Sequence, residues 1–266
     1  MDLQLNDKTA LVTGATAGIG LAIARKLAIE GAKVVIAGRT QAKLDEAVGS
    51  IRIAGGGQIS QIKGVLADPA TAEGAAALVQ AAPVVDILVN NLGIYEIKNF
   101  ADITDEDWRR YFEVNVLGGV RLARAYFPGM FQKNWGRIIF ISSESSFVTP
   151  GLMIHYGMTK TAQLAISRGL AELTKGTKVT VNSVLPGPTR SEGIVDFLKS
   201  LASDPKAPPD QIEAEFFAKG RPTSLLQRMI EPEEIAELVA YVASPLSSAT
   251  NGAALRVDGG VIPTIG

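Results

Sequence analysis

The 266-residue chain has a formal net charge of −1, with 47% hydrophobic and 20% charged residues, no cysteine and a single histidine. Near-neutrality removes the electrostatic case for nucleic acid or an anionic membrane as partner. The missing thiols exclude disulfides, a thiol nucleophile and a thiolate metal site, and one histidine excludes a multi-histidine metal centre. No apolar run reaches the ~18 residues of a membrane span, and the N-terminus MDLQLNDKTALVTG lacks the pattern of a signal peptide, so a metal-free protein of the cytoplasm is expected.

Strand-like runs fall in chain order at 9–13 (TALVT), 33–38 (KVVIAG), 59–66 (ISQIKGVL), 86–91 (DILVNN), 137–142 (RIIFIS), 179–185 (VTVNSVL) and 253–257 (AALRV). Helical patterns occupy 18–30, 41–54, 70–81, 105–132, 156–174 and 232–243. Most of the strands are unbroken apolar runs, as expected where helices cover both faces of a sheet. The alternation predicts an α/β fold, a doubly wound seven-stranded parallel sheet in one domain spanning 1–266. Interval 189–230 breaks the rhythm with IVDFLKSLA, SDPKAPPD and QIEAEFFAKG, and an excursion this long predicts a substrate lid. Helices 105–132 and 156–174 carry apolar residues around much of their circumference, among them Trp108, Phe112, Val116 and Val120, then Met158, Leu164, Ile166 and Leu170. A helix apolar beyond one stripe has two buried faces, the second lying on another subunit or under the chain itself.

The stretch TALVTGATAGIGLAIARKLAIEGA reads as strand, glycine turn and helix, with Gly14, Gly18 and Gly20 in the turn and the first helical residues. Without Cβ atoms the backbone N–H groups can approach a pyrophosphate lying at the positive helix N-terminus. In dinucleotide sites that prefer NAD(H), a carboxylate near the end of the second strand holds the ribose 2′-OH. Here VVIAGRT ends in Gly38 and Arg39 without an acid, and a guanidinium suits a 2′-phosphate. The reading favours NADP(H) over NAD(H). Asp68, after the third strand, is a candidate either to cap the next helix or to hold the adenine amino group.

From the fourth strand onward the motifs accumulate: Asn90, Asn91 and Gly93 in NNLG, Asn115 in EVNVLGG, Ser143 after the fifth strand, Tyr156 and Lys160 as Y-x-x-x-K, and Pro186-Gly187 after the sixth. With T-G-x-x-x-G-x-G at Thr13–Gly20, and in this order, the chain from about residue 6 to about 260 resembles the short-chain dehydrogenase/reductase family. Leu92 departs from that family's usual alanine. The resemblance implies a Rossmann-like sheet and hydride transfer between a nicotinamide and a carbonyl/alcohol pair. It implies cofactor binding by Gly14, Thr16, Gly18, Ile19, Gly20, Arg39, Asp68, Asn91, Gly93, Tyr156, Lys160, Pro186, Gly187 and Thr189, and catalysis by Asn115, Ser143, Tyr156 and Lys160. It further implies that Lys160 binds the nicotinamide ribose and that Asn115 holds a water linking Lys160 to solvent.

Physical chemistry gives the tyrosine and lysine a compatible reading. Residues four apart on a helix share a face, so the Lys160 ammonium is expected beside Tyr156, favouring phenolate and lowering the phenol pKa from ~10. Tyr156 can then give a proton to a carbonyl oxygen or take one from an alcohol, while Ser143 hydrogen-bonds the developing alkoxide. Ser142 is a rival for that role, but the spacing to the tyrosine favours Ser143. His155 is expected to be a pocket-wall or interface residue rather than a base.

The substrate is less legible. Ile194, Val195, Phe197, Leu198, Phe216 and Phe217 in the predicted lid favour an apolar or amphipathic small carbonyl compound, and Glu144 is either a polar pocket group or a strand-end carboxylate. A 3-oxoacyl thioester reductase would need a basic patch for a carrier protein, with Arg121, Arg124 and Arg137 as candidates. An NAD(H)-linked alcohol or sugar dehydrogenase follows if Arg39 faces solvent. Enoyl reductases of this fold resemble Y-x-x-x-x-x-x-K and are disfavoured. A non-catalytic dinucleotide sensor would need the glycine turn but not the Ser143, Tyr156, Lys160 and Asn115 set. The closing NGAALRVDGGVIPTIG resembles the family's last strand, which implies a subunit contact near the tail and a homotetramer.

Overall fold

Successive side chains of a strand point to opposite faces of its sheet, and both faces are apolar here. In β1 (Thr9–Val12), Ala10 and Val12 enter one core and Leu11 the other. In β2 (Lys33–Gly38), Val34 and Ile36 oppose Val35 and Ala37. In β5 (Gly136–Ile141), Ile139 and Ile141 oppose Ile138 and Phe140. This two-sided demand is why the runs lack polar alternation, and each such side chain contributes roughly 1.5–3 kcal/mol when fully buried. The computed structural model describes residues 1–54, 61–191 and 194–265.

With β3 (Ile62–Leu66), β4 (Ile87–Asn90), β6 (Val179–Pro186) and β7 (Ala254–Val257), the strands form one parallel seven-stranded sheet in the order β3-β2-β1-β4-β5-β6-β7. Residues 59 and 60 of the predicted third strand lie outside the described residues. Helices α1 (Gly18–Ile29), α2 (Gln41–Ala54) and α9 (Pro232–Ala243) bury residues in the first core. Helices α3 (Ala72–Ala81), α5 (Gly118–Gln132) and α6 (Ile154–Glu172) bury residues in the second. The winding reverses between β1 and β4, whose register is Ala10 opposite Ile87, Leu11 opposite Leu88 and Val12 opposite Val89. At such a switch point the first loops on either side diverge and leave a crevice.

Three of the predicted helices differ from the sequence reading by a break or by two residues or more. The predicted helix 105–132 is α4 (Asp105–Phe112) and α5 joined by a π-helical turn at Glu113–Leu117, a widening no hydrophobic period reports and one frequent at functional sites. α3 begins two residues late because Thr71 is its N-cap, accepting from Gly74 N at 2.9 Å; Asp68 instead accepts from Ala70 N at 3.0 Å, so the capping role predicted for it is not its own. α6 begins two residues early, which puts Tyr156 in its first turn. The excursion 189–230 holds α7 (Ile194–Leu201) and α8 (Pro209–Gly220), whose Ile194, Leu198, Ile212, Phe216 and Phe217 form a third small core with Met229.

The crevice is stitched by Thr13. Its hydroxyl accepts from both Asn91 N and Leu92 N at 3.0 Å, and Asn91 Nδ2 donates back to Thr13 O and Gly14 O at 3.0 Å. The isosteric Thr13→Val leaves two backbone donors without that acceptor and is expected to lower unfolding free energy by about 2 kcal/mol in urea denaturation. A loss below about 0.5 kcal/mol would mean that water replaces the hydroxyl at no net cost.

Candidate active site

The turn after β1 is built for close backbone approach. Gly14 and Gly18 have φ of 61° and 52°, the left-handed region that glycine adopts without strain. A Cβ on Gly20 would lie 2.3 Å from Gly14 O and 2.4 Å from Asn91 Nδ2. No side chain caps α1 at Ala17, and its first turn holds no acid, so its leading N–H groups are available to an anion. At the end of β2, a Cβ on buried Gly38 would meet the Thr16 methyl at 2.9 Å; the position where an acid would select NAD(H) is already packed. Arg39 is exposed and makes no hydrogen bond or ion pair among the described residues. These features fit a phosphorylated dinucleotide.

A cavity of about 390 Å³ opens at the carboxyl ends of the strands. Of the predicted residues, Gly18, Ile19, Gly20, Asn91, Gly93, Ser143, Tyr156, Lys160, Pro186, Gly187 and Thr189 line it. Gly14, Thr16, Arg39, Asp68 and Asn115 stand outside its lining. Ser142 is not interchangeable with Ser143: its hydroxyl donates to Lys160 O at 2.8 Å, tying β5 to α6. Lys160 is 4% exposed and donates from Nζ to Ile141 O at 2.9 Å. Burial lowers its pKa to about 8, with the Glu144 carboxylate working in the opposite direction.

For Tyr156 the sequence expectation is reversed. Burial, then the Glu144 charge, push its phenol up, and only its hydrogen bond with Ser143 counts the other way among the leading influences. Lys160 Nζ lies 5.6 Å from the centre of the Tyr156 ring. As the structure stands, Tyr156 is a neutral phenol at physiological pH.

Asn115 sits in the π turn. Its side chain accepts from Ile94 N at 2.8 Å and donates to Ile94 O and Thr159 Oγ1 at 3.0 Å, while its main-chain oxygen accepts from Gln163 Nε2 at 2.6 Å. It therefore clamps the loop after β4 onto α6, one residue from Lys160.

Sequence reasoning missed Arg221, just past α8. Its Nε and Nη2 donate to Glu144 Oε1 at 3.0 and 2.9 Å, and both residues line the cavity. Seventy-seven positions separate them, and no spacing rule joins residues that far apart. Glu144 is 4% exposed and is thus a polar pocket group rather than a solvated strand end. Apolar lining comes from Tyr95, Met153, Ile194, Phe197 and Phe216; Val195 is half exposed and Leu198 and Phe217 pack inside the third core instead.

With this geometry in view, residues 8–199 match the short chain dehydrogenase family, and the chain belongs to the short-chain dehydrogenase/reductase family, oxidoreductases of the alcohol/carbonyl pair. It is 49% identical over 265 residues to the uncharacterized oxidoreductase YvaG of Bacillus subtilis, covering 100% of both chains. It is 32% identical to D-beta-hydroxybutyrate dehydrogenase of Cupriavidus necator, over 97% of this chain and 98% of that one. Among solved structures, L-sorbose reductase from Gluconobacter frateurii, complexed with NADPH and L-sorbose, superposes with a TM-score of 0.92 at 31% identity over 100% of both chains.

His155 is not a pocket wall. It is fully buried, 4.2 Å from the Tyr111 ring and 6.2 Å from Trp108, and neither ring nitrogen has a hydrogen-bond partner among the described residues. Burial holds its pKa below 6.5, against the pull of Glu96 and Asp107. The unfolded chain therefore takes up this proton first, and stability falls as pH drops below 6.5. Relative to wild type, His155→Phe is expected to gain up to about 1 kcal/mol of unfolding free energy between about pH 7 and pH 5.5. An equal response of both proteins in urea titrations would place the native His155 pKa at its ordinary value.

Proposed function

We propose that the protein is a cytoplasmic, NADPH-linked reductase that converts a small ketone to an alcohol. The observation that carries this reading is the convergence of Ser143, Tyr156 and Lys160 on one cavity whose opposite wall is the glycine turn. The dinucleotide, when bound, supplies the hydride that the carbonyl carbon receives. The chain's own part is the proton and the charge. Tyr156 gives its phenol proton to the carbonyl oxygen, Ser143 donates to the same oxygen as charge develops, and the Lys160 ammonium steadies the phenolate left behind. Asn115 positions Lys160 through the Ile94 loop and Thr159. The excursion 189–230 is the substrate lid over the same domain, with Ile194, Phe197, Phe216 and Arg221 at the cavity.

NADP(H) is favoured by Arg39 and by the packed, acid-free Gly38; the NADPH held by L-sorbose reductase is a parallel. A carrier-bound 3-oxoacyl substrate loses support, because, of its candidate basic patch, Arg137 is 2% exposed and Arg121 is engaged with Ala70 O and Glu113, which leaves Arg124 alone exposed. Titration by nucleotide fluorescence should give tight NADPH and weak NADH binding, with the preference lost in Arg39→Ala. Wild type should then reduce members of a ketone panel, Tyr156→Phe should be slower by about 10²–10⁴-fold, and the rate should fall as pH rises through the Lys160 value of about 8. NADH-favoured binding would turn the assignment to an NAD-linked alcohol or sugar dehydrogenase, and binding of neither would revive the sensor reading.

We also infer a homotetramer. The outward side of α6 leaves a shallow apolar depression lined by Ile154, Met158, Ala162 and Ala165 with Thr149 and Thr161, and Phe112 and Phe131 are 40% and 45% exposed on the adjoining helices. Light scattering should return four chain masses in wild type and a smaller assembly in Met158→Glu. A single chain mass in wild type would sink the inference.

A further inference from the structure

Glu144 is a costly residue to place beside Tyr156, since a buried carboxylate needs a partner. Arg221 supplies one: the pair is only 15% and 6% exposed, and both guanidinium donors fall on the single oxygen Oε1. The other oxygen, Oε2, takes the Ser143 proton at 2.5 Å. Among the described residues no other side chain donates to Oε2, while Ser143 Oγ itself accepts from Ser145 N at 3.1 Å.

A serine hydroxyl carries one proton. While that proton points at Glu144, Ser143 cannot donate it to a substrate oxygen. Turning it towards a carbonyl strips the Oε2 of Glu144, a residue only 4% exposed, of its donor, and an unsatisfied buried acceptor is costly. A second donor arriving at Oε2 at the same moment removes that cost. We propose that the substrate brings it: the preferred substrate is an uncharged carbonyl compound with a hydroxyl on the neighbouring carbon, whose O–H takes over Glu144 Oε2 as Ser143 turns to the carbonyl oxygen. The two oxygens of an α-hydroxy carbonyl are neighbours, as are the Ser143 hydroxyl and the Glu144 carboxylate that receive them.

The same contacts disfavour an anion. Arg221 spends its fork on Glu144, and its Nη1 donates to Gly220 O at 2.8 Å, so it offers no free bidentate face to a carboxylate. Glu144 meanwhile repels one. Tyr95, Phe197 and Phe216 are left to pack the carbon skeleton. This inference rests on the carbonyl-reductase reading and narrows it.

Hydroxyacetone and butanone test it, because they differ by OH against CH3 at nearly constant size. Wild type with NADPH is expected to prefer hydroxyacetone in kcat/KM by about 100-fold or more, since a site built around a hydroxyl rejects the analogue without it. The double variant Glu144→Met/Arg221→Met replaces the pair with apolar chains of similar length, a change that folds often tolerate, and should bring the ratio near one. Hydroxypyruvate, which adds a carboxylate to the same hydroxy ketone, should be poorer than hydroxyacetone in wild type whether or not the double variant folds. A wild-type ratio near one, a double variant that keeps the wild-type ratio, or a preference for hydroxypyruvate overturns the proposal while leaving the reductase reading intact. Absence of turnover with every carbonyl compound removes the reductase reading, and this proposal with it.

Discussion

The reversal of winding between β1 and β4 is the constraint on which the rest depends. Strands left of it continue through α1 and α2 on one face, and strands right of it through α5 and α6 on the other. Their first loops therefore part and leave a crevice at the carboxyl edge. A crevice in a parallel sheet exposes backbone polar groups that need partners, and Thr13 and Asn91 provide them by exchanging bonds across the gap. The glycines follow from this stitch. Asn91 Nδ2 occupies the space where a Gly20 side chain would begin, so α1 can come close to β4 only if residue 20 has no side chain. One geometric decision thus sets the turn, the amide donor and the uncapped start of α1 together.

The candidate catalytic side chains lie on the other wall of the crevice, where desolvation governs their charge. Lys160 is buried with its ammonium on Ile141 O, and Tyr156 is held as a phenol by burial and by Glu144. The carboxylate has two opposed consequences: it supports the Lys160 charge and resists the Tyr156 charge. A site with both effects suits a phenol that starts protonated and a lysine that starts charged. Arg221 offsets part of that charge by placing two donors on Oε1, while Oε2 still faces Ser143.

What the sequence disclosed and what it hid divide along contact range. The alternation of strands and helices, the glycine turn and the i,i+4 relation of Tyr156 and Lys160 are local patterns, readable because the periods of strand and helix are fixed. Ser143 was separable from Ser142 only by spacing; the physical reason, that Ser142 is bound to Lys160 O across 18 positions, needed the fold. Asn115 was expected in a plain helix, but the π turn and the Gln163 bond to its carbonyl arise from packing between α5 and α6. The Tyr156 pKa was misjudged because the neighbouring cation was visible as a spacing, whereas burial and the orientation of Glu144 were not. Arg137 looked like a surface charge and is buried, donating to Gly136 O, Lys178 O and Ser244 O.

Arg221 joins these two levels, because it belongs to the segment that, among the described residues, has a small core of its own. The segment carrying α7 and α8 packs around Phe216, Phe217 and Met229, and its base is closed by the Thr189–Ile230 bridge and the ion pairs of Arg190 with Glu213 and Glu231. These last contacts are exposed and worth little individually. The Arg221–Glu144 pair is different: it is mostly buried, so breaking it leaves a desolvated carboxylate beside Tyr156. The segment is therefore tied to the cavity wall by the same carboxylate that receives the Ser143 proton. Through that carboxylate the position of Arg221 bears on Ser143, Tyr156 and Lys160 together, since Glu144 accepts from the first and its charge acts on the other two.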